Sequence, residues 1–459
     1  MKLVLLSGGS GKRLWPMSND SRSKQFLKVL RDEQGRSISM LQRVWAQLGR
    51  VGLAEDAFIC ASKAQREMIE AQVGCARFIE EPARRDTFPA IALAVTYLSD
   101  VAGVDENEAV AVCPIDHYVD DEYFRQISRL PEALDHSQAD LALMGVRPTE
   151  PTNKFGYIRL QQEDSPDESK ELRFAHSFVE KPAEELARVL IGEGALWNCG
   201  VFCFRLGYLK DILRERGLPT SYEELVARFA QLPKRSFDYE VVEQVQSIVV
   251  QPYAGMWKDL GTWEALSEEL TDSFVGRGMA VECADTHVVN ELGIPVVTMG
   301  LQNAVVVATP DGILVAEKGH SSAVKDVIAD YSSRPMFEEG HWGSYRVLDY
   351  QKLEDGTEVL TKFIELYPGR HISYQKHLKR SEVWTFIEGS GEVALGTRIT
   401  TVSAGDVIRV HPEQWHAIRA DEKLTFIEVQ RGSELIEEDI VRRYLTWEEV
   451  AAHCSVASL

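Results

Sequence analysis

Leu3-Val4-Leu5-Leu6-Ser7-Gly8-Gly9-Ser10-Gly11-Lys12-Arg13-Leu14 is the stretch on which the fold turns. Leu3 to Leu6 is a short apolar run, as a parallel strand buried on both faces shows. Ser7 to Gly11 carries almost no side-chain bulk, so this loop can pass through φ > 0 and bring backbone N–H groups to an anion. Lys12 and Arg13 add positive charge at its end. Strand, glycine loop and basic pair together suggest a cradle for nucleotide phosphates. The pattern is neither a Walker A loop nor Gly-x-Gly-x-x-Gly, and the plain alternative is an ordinary strand-to-helix turn. Trp15-Pro16 argues against a helix starting at once, because a residue before proline avoids the helical region. Arg22, Lys24 and Lys28 follow within one short segment, and so many cations beside a glycine loop suit a polyphosphate.

Outward from this stretch, strand-like and helix-like segments alternate. Ser39 to Leu48 has helical spacing with Ser39 as its N-cap. Ala57–Cys60 reads as a strand, Lys63–Val73 and Pro89–Leu98 as helices. Ala109–Cys113 is a buried strand that ends at Pro114-Ile115-Asp116-His117, and Leu141–Val146 is another. The alternation predicts a doubly wound, Rossmann-like α/β domain, in which ligands sit at the carboxyl ends of the strands. Residues 1–273 are assigned to it. Residues 280–330 are rich in Val and broken by Gly, Pro and Asn, which predicts short strands closed by a helix from Ser322 to Tyr331. This gives a short β-rich linker domain over 274–334. From 335 to 459, short strands separated by glycine turns predict an all-β barrel.

A chain of 459 residues accommodates these three domains, and no disulfide or metal is needed merely to fold it. The formal net charge of −21 argues against nucleic acid as a bulk partner, so a phosphorylated substrate must meet a local basic site. The seven cysteines are odd in number and scattered without Cys-x-x-Cys, which predicts reduced thiols. No stretch is long enough to span a bilayer and no signal-type apolar segment opens the chain, so a cytoplasmic location without membrane partner is the expectation.

Asp116 follows a buried strand directly, and Asp259 sits in Trp257-Lys258-Asp259-Leu260-Gly261-Thr262-Trp263. Two carboxylates with phosphate oxygens and water make a Mg²⁺ site; the alternative for each is a turn-capping Asp. Here the chain resembles the mannose-1-phosphate guanylyltransferases (GDP-mannose pyrophosphorylases). The resemblance is carried by Leu6 to Ser18, Lys24-Gln25-Phe26-Leu27, Glu81-Pro82 with Arg85-Asp86-Thr87, and Pro114-Ile115-Asp116-His117. Gly156-Tyr157-Ile158, Phe178-Val179-Glu180-Lys181-Pro182, Trp197 to Phe202, Phe237-Asp238-Tyr239 and Trp257 to Trp263 continue it.

The resemblance implies transfer of GMP from GTP to mannose 1-phosphate with release of pyrophosphate. It assigns Arg13 and Lys24 to catalysis, and Ser7, Gly8, Gly9 and Gly11 to the nucleotide. Asp116 and Asp259 take Mg²⁺, while Gly156, Glu180, Lys181 and Asn198 take the sugar phosphate. Guanine presents N1–H and N2–H₂ donors that one carboxylate accepts together, which makes Glu81 the candidate base contact, with Arg85 nearby; the alternative is a surface Glu at a strand end. Lys12, Ser23, Asp86 and Asn153 to Phe155 depart from the family pattern. Another sugar 1-phosphate or another NTP is the second reading, and a sugar-nucleotide sensor without catalysis the third.

In the last domain, Gly369, Gln375, His377, Glu382 and Gly389 resemble the first cupin motif with Gln in place of its first His. Gln375 and His377 are two apart and share a strand face. With Glu382 and His416 they form a set suited to Zn²⁺ or another divalent metal. Trp342-Gly343, Pro368-Gly369, Gln375 to Trp384, Phe426 to Gln430 and Glu438 to Arg442 resemble the mannose-6-phosphate isomerase half of bifunctional enzymes. Leu378, Lys379 and Val383 stand where that family has histidines. Metal binding is therefore the expectation, and isomerase activity is left open, as is a homodimer.

Overall fold

The computed structural model describes the chain except residues 9–11, 20–21, 75, 162–171, 330, 332–333, 437–438 and 457–459. The chain divides into two compact units, Met1–Ser273 with Lys318–Val324, and Phe274–Glu317 with Lys325–Leu459. The strands expected to form a linker domain of their own thus fall with the barrel.

A nine-stranded sheet organises the first unit. Its order is Arg77–Glu81, Ala57–Ser62, Lys2–Leu6, Ala109–Pro114, Leu196–Arg205, Leu141–Val146, Ile248–Tyr253, Arg173–Val179, Gly156–Leu160. The first four strands are parallel, and Leu3 to Leu6 are 0–9% exposed between Ala57–Cys60 and Ala111–Pro114. Leu196–Arg205 then runs antiparallel to both neighbours, so the sheet is mixed rather than purely parallel. The helix Met40–Arg50 begins with a capping box. Gln42 N–H donates to Ser39 Oγ at 3.1 Å, and Gln42 Oε1 accepts from Ser39 N–H at 3.1 Å. The helix Thr87–Asp100 is apolar nearly all round because it lies between the sheet and the helices Leu206–Glu215 and Tyr222–Arg228.

In the second unit, Phe274–Val275, Ala284–Asn290, Gln302–Thr309 and Gly312–Glu317 form one sheet, and Gly278–Val281 pairs in parallel with Val296–Met299. The long helix expected from Ser322 is a 3-10 stretch, Lys318–Ala323, followed by one α turn, Val324–Val327. Gly319, Ser321 and Ser322 favour turns over helix propagation. The barrel consists of two six-stranded sheets. Ile364, Trp384, Phe386 and Phe426 of one sheet meet Val393, Val402, Ile418 and Ala420 of the other. Cys60, Cys113, Cys199, Cys203, Cys283 and Cys454 are free thiols. No described helix is long and apolar enough to cross a membrane.

Candidate active site

The carboxyl ends of the parallel strands line up along one edge of the first unit's sheet. Ser7, Ser62, Glu81 and Pro114 lie at these ends. Ser7 anchors the loop that follows it: its N–H donates to the Cys60 carbonyl at 2.9 Å, and its Oγ accepts from Gln25 Nε2 at 2.8 Å. Gly8 is exposed, and a Cβ added there meets nothing. Gly9 and Gly11 lie outside the described residues. Arg13 is exposed.

Gln25, itself buried, fixes the 3-10 turn Lys24–Phe26 against the strand end and so aims Lys24. Lys24 Nζ stands 2.7 Å from Asp116 Oδ2 and 3.1 Å from Asp259 Oδ1. The two carboxylates, far apart in sequence, meet because His117–Val119 pairs antiparallel with Trp257–Asp259, with Asp259 opposite His117. Burial works against the Lys24 ammonium, but Asp116 and Asp259 outweigh it and hold its pKa above the ordinary lysine value. Burial likewise pushes Asp116 up, but Lys24 and then His117 override it and hold the carboxyl below the usual range. Gly261 closes the site, since a Cβ there would lie 3.0 Å from Asp259 Oδ1 and 3.4 Å from Lys24 Nζ.

Glu81 ends the outermost strand and is buried. It lies three strand spacings from Ala109–Pro114, roughly 14 Å at the usual spacing. Burial pushes its carboxyl up to about 7, although a backbone hydrogen bond from Arg85 opposes the shift. Arg85 donates through Nε to the Leu232 carbonyl at 2.9 Å. Asp86, at φ 74°, caps the helix that follows by accepting from Thr87 N–H at 2.8 Å.

A second cluster forms where three strands exchange partners. Gly156 pairs with Asn198, and Tyr157 with Val179. A Cβ on Gly156 would lie 2.5 Å from Glu180 Oε2. Glu180 is almost wholly buried and paired with the exposed Lys181 ammonium. Lys181 sits at φ 46°, in the left-handed region that costs a non-glycine residue about 1–3 kcal/mol. The sharp bend sends Glu180 inward and Lys181 outward. Asn198 is held at both ends: Nδ2 donates to Asp238 Oδ1 at 2.6 Å and Oδ1 accepts from Gly200 N–H at 3.0 Å. Burial, and then the Glu180 charge, push Asp238 up to about 6. Phe155, Trp197 and Trp257 connect this cluster to the carboxylate pair, with ring centroids 5.0–6.0 Å apart and His117 5.1 Å from Trp257. The indole N–H groups of Trp197 and Trp257 are buried and unpartnered.

In the barrel, His377, Glu382 and His416 come together within one buried site, their ligating atoms all within 4.8 Å of one another. His416 Nδ1 donates to the Gln414 carbonyl at 2.9 Å, which leaves the lone pair on its buried, unpartnered Nε2. Burial holds His416 below the ordinary histidine range. A neutral imidazole with a free nitrogen beside a carboxylate fits a divalent cation. Gln375 lies on the same strand face as His377, but its Oε1 accepts from Ser373 Oγ at 3.1 Å. Arg380 Nε stands 3.1 Å from Glu382 Oε1, and Nη1 donates to the Ile436 carbonyl at 3.1 Å. Burial would raise Glu382, but His377, His416 and Arg380 prevail and hold it well below the usual range. Trp384 Nε1 donates to both Glu382 and Glu428. Burial, followed by the Glu382 charge, holds Glu428 above the ordinary carboxyl value.

The nucleotidyl transferase family profile matches residues 2–273, and the mannose-6-phosphate isomerase C-terminal profile matches residues 335–444. Mannose-1-phosphate guanylyltransferase of Salmonella muenchen is 30% identical over 96% of this chain and 97% of its own length. The chain belongs to the mannose-1-phosphate guanylyltransferase branch of the nucleotidyl transferase family. Alginate biosynthesis protein AlgA of Pseudomonas fluorescens is 29% identical over 96% of this chain and 95% of its length. A crystal structure from Thermus thermophilus, described as mannose-1-phosphate geranyltransferase, superposes with a TM-score of 0.61 at 30% identity. It covers 72% of this chain and 99% of its own.

Against this family background, Asp238 is the residue that sequence reasoning left without a role. Its signal was present in Phe237-Asp238-Tyr239, but its pairing with Asn198 across 40 positions is visible only in the fold. Arg380, Glu428 and Gln430 are likewise ordinary polar residues in sequence and become barrel-site residues only through register. Gln430 Nε2 reaches Glu428 Oε2 at 3.0 Å and Glu382 Oε1 at 3.3 Å.

Proposed function

We propose that the first unit transfers GMP from GTP to mannose 1-phosphate, giving GDP-mannose and pyrophosphate. The observation that carries this reading is one continuous site in which a lysine-bridged carboxylate pair adjoins an acidic pocket. Sugar hydroxyls are donors, and Glu180 and Asp238 are acceptors when ionised. Pro114, two residues before Asp116, lies against Gly200, two residues after Asn198, so the halves adjoin across neighbouring strands.

A phosphate oxygen of mannose 1-phosphate attacks the α-phosphorus of GTP as the α–β bridging bond breaks, and pyrophosphate leaves. The nucleophile is already ionised, so positioning and charge neutralisation carry the catalysis. Arg13 and the basic loop neutralise the departing pyrophosphate, and Lys24 the α-phosphate. Lys181 holds the sugar phosphate, while Glu180 and Asn198 orient the sugar, with Gly156 leaving room for the Glu180 carboxylate. Glu81 accepts from the guanine edge. Asp116 and Asp259 would hold a divalent cation, Mg²⁺ by charge and donor type. Such an ion supplies charge neutralisation on the phosphate oxygens. His377, Glu382 and His416 would hold Zn²⁺ or a similar ion in the barrel.

Pyrophosphate release measured over a panel of NTPs and sugar 1-phosphates tests the reading. GTP with mannose 1-phosphate is expected to give the highest kcat/KM. Tenfold preference for another pair overturns the substrate assignment, and nucleotide binding without turnover overturns the enzyme.

A further inference from the structure

Three residues of the short stretch after Glu81 are bonded to one distant segment, the one that carries Asp238. Arg85 Nε donates to the Leu232 carbonyl at 2.9 Å, and Phe88 N–H donates to the Arg235 carbonyl at 3.3 Å. Phe237 N–H donates to Thr87 Oγ1 at 2.8 Å, across 150 positions. Phe237 opens the four-residue helix Phe237–Glu240. So short a helix is not held by its own hydrogen bonds, and the N–H groups of its first turn need acceptors from outside it. The Phe237 ring is fully buried, with Phe202 and Phe204 at centroid distances of 4.8 and 5.9 Å. The far end of the helix is fixed by Glu240, which pairs with Arg216 and, at 2.9 Å, with Arg235. The ring thus sets where the helix lies, and the bond to Thr87 sets the direction in which the chain leaves Phe237 for Asp238. Thr87 is itself held, because Asp86 Oδ1 accepts from its N–H at 2.8 Å and the helix it begins is packed in the core.

From Asp238 the connection runs on. Asp238 Oδ1 accepts from Asn198 Nδ2 at 2.6 Å, and Asn198 Oδ1 accepts from Gly200 N–H at 3.0 Å. These two bonds fix which end of the Asn198 amide is nitrogen and leave its second N–H as the donor offered to a ligand. We propose that Thr87 is a positioning residue for the sugar phosphate. Its hydroxyl sets Asp238, and through Asp238 the Asn198 amide, although Thr87 itself lies in the loop that follows the proposed base contact, Glu81. This inference rests on the nucleotidyl-transfer reading of the first unit.

Steady-state kinetics of the full chain, with GTP and mannose 1-phosphate varied in turn, is the test. Thr87→Val keeps the shape of the side chain and removes the acceptor. A misplacement of about 1 Å in a positioning group costs about 10²-fold, so kcat/KM for mannose 1-phosphate is expected to fall about tenfold or more. KM for GTP should stay within about twofold, because Glu81 and the Arg85 bond to Leu232 are untouched. Thr87→Ser retains the oxygen and should restore the parent value. A merely structural hydroxyl would weaken both substrates alike or lower only the amount of folded protein. An unchanged kcat/KM for mannose 1-phosphate in folded Thr87→Val, an equal rise in KM for GTP, or no rescue by serine overturns the proposal. Should the valine variant not fold, Thr87→Ala removes the acceptor without placing a methyl group there, and carries the same expectation. If neither folds while Thr87→Ser does, the hydroxyl serves folding and the positioning role is wrong. Turnover by the parent in the same assay separates the two claims: with parent turnover intact only the role of Thr87 fails, and without it the transfer reading fails.

Discussion

Gly156→Ala places one methyl group against the sugar side of the proposed site. The added Cβ would lie 2.4 Å from Phe178 Cζ and 2.5 Å from Glu180 Oε2. Ordinary carbon contacts begin near about 3.5 Å, so each neighbour must give by about 1 Å. Phe178 packs against the core of the first unit and Glu180 is 6% exposed, so neither has free space to retreat into. Overpacking of this kind costs about 1–3 kcal/mol, which for a unit of this size lowers the melting temperature by several degrees. The larger effect is on function. A misplacement of about 1 Å in a positioning group costs about 10²-fold in rate, or about 2.7 kcal/mol. With GTP saturating and mannose 1-phosphate varied, pyrophosphate release should show kcat/KM for the sugar phosphate falling about 10²-fold. KM for GTP should stay within about twofold, because the Glu81 end of the sheet is untouched. Gly192→Ala, where a Cβ meets nothing within 4 Å, is the control and should be silent. A folded Gly156→Ala with unchanged kcat/KM refutes the placement of the sugar beside Glu180.

Asp259→Asn should lower kcat by about 10³-fold or more while the melting temperature stays close to the parent, since Asp116 still pairs with Lys24; unaltered turnover removes Asp259 from the reaction. In the proposed site Glu81 accepts guanine donors when ionised, and burial raises it to about 7, so on that proposal KM for GTP should climb as pH falls below 7. Glu81→Gln should flatten that profile. The raised folded value also means that this carboxyl favours the fold below its unfolded value and that the contribution is lost as pH rises through about 7. His416→Ala should remove divalent metal from the barrel, read by elemental analysis of the dialysed protein. Glu382→Gln strips the buried Arg380 of its carboxylate, and a broken buried pair costs about 3–5 kcal/mol; a barrel melting transition that does not move speaks against that pairing.

Much of the first unit was legible from local pattern. Ser39 marked a helix start as its N-cap, to which the structure adds the capping box with Gln42, and the apolar run Leu141–Val146 became a strand with the same ends. Strand direction was not legible. Leu196–Arg205 is apolar enough for a strand buried on both faces, but burial is the same whichever way the chain runs. The segment after Lys318 misled because a few helix-compatible residues do not overcome nucleation among serines and glycine. For the site, Asp116 was visible at its strand end, whereas its meeting with Asp259 depends on a short antiparallel pair drawn from distant parts of the chain. In the barrel, His377, Glu382 and His416 were named through the resemblance to the cupin motif, whereas Arg380, within the same stretch, had no role until the fold set it beside Glu382.

The sheet edge that carries Glu81, Ser7 and Asp116 has a fixed step. Neighbouring strands cannot be drawn together or pushed apart by fractions of a spacing, because the backbone hydrogen bonds set the interval. The interval between Glu81 and the Asp116 strand end, proposed here as base contact and reaction centre, is therefore built into the scaffold, not into the side chains. On the proposed placement of guanine at Glu81, exchanging that residue is expected to change which base edge is matched and to leave the triphosphate arriving at the same place. On that proposal, nucleotide preference is a replaceable part, set by one residue on a scaffold that keeps its spacing.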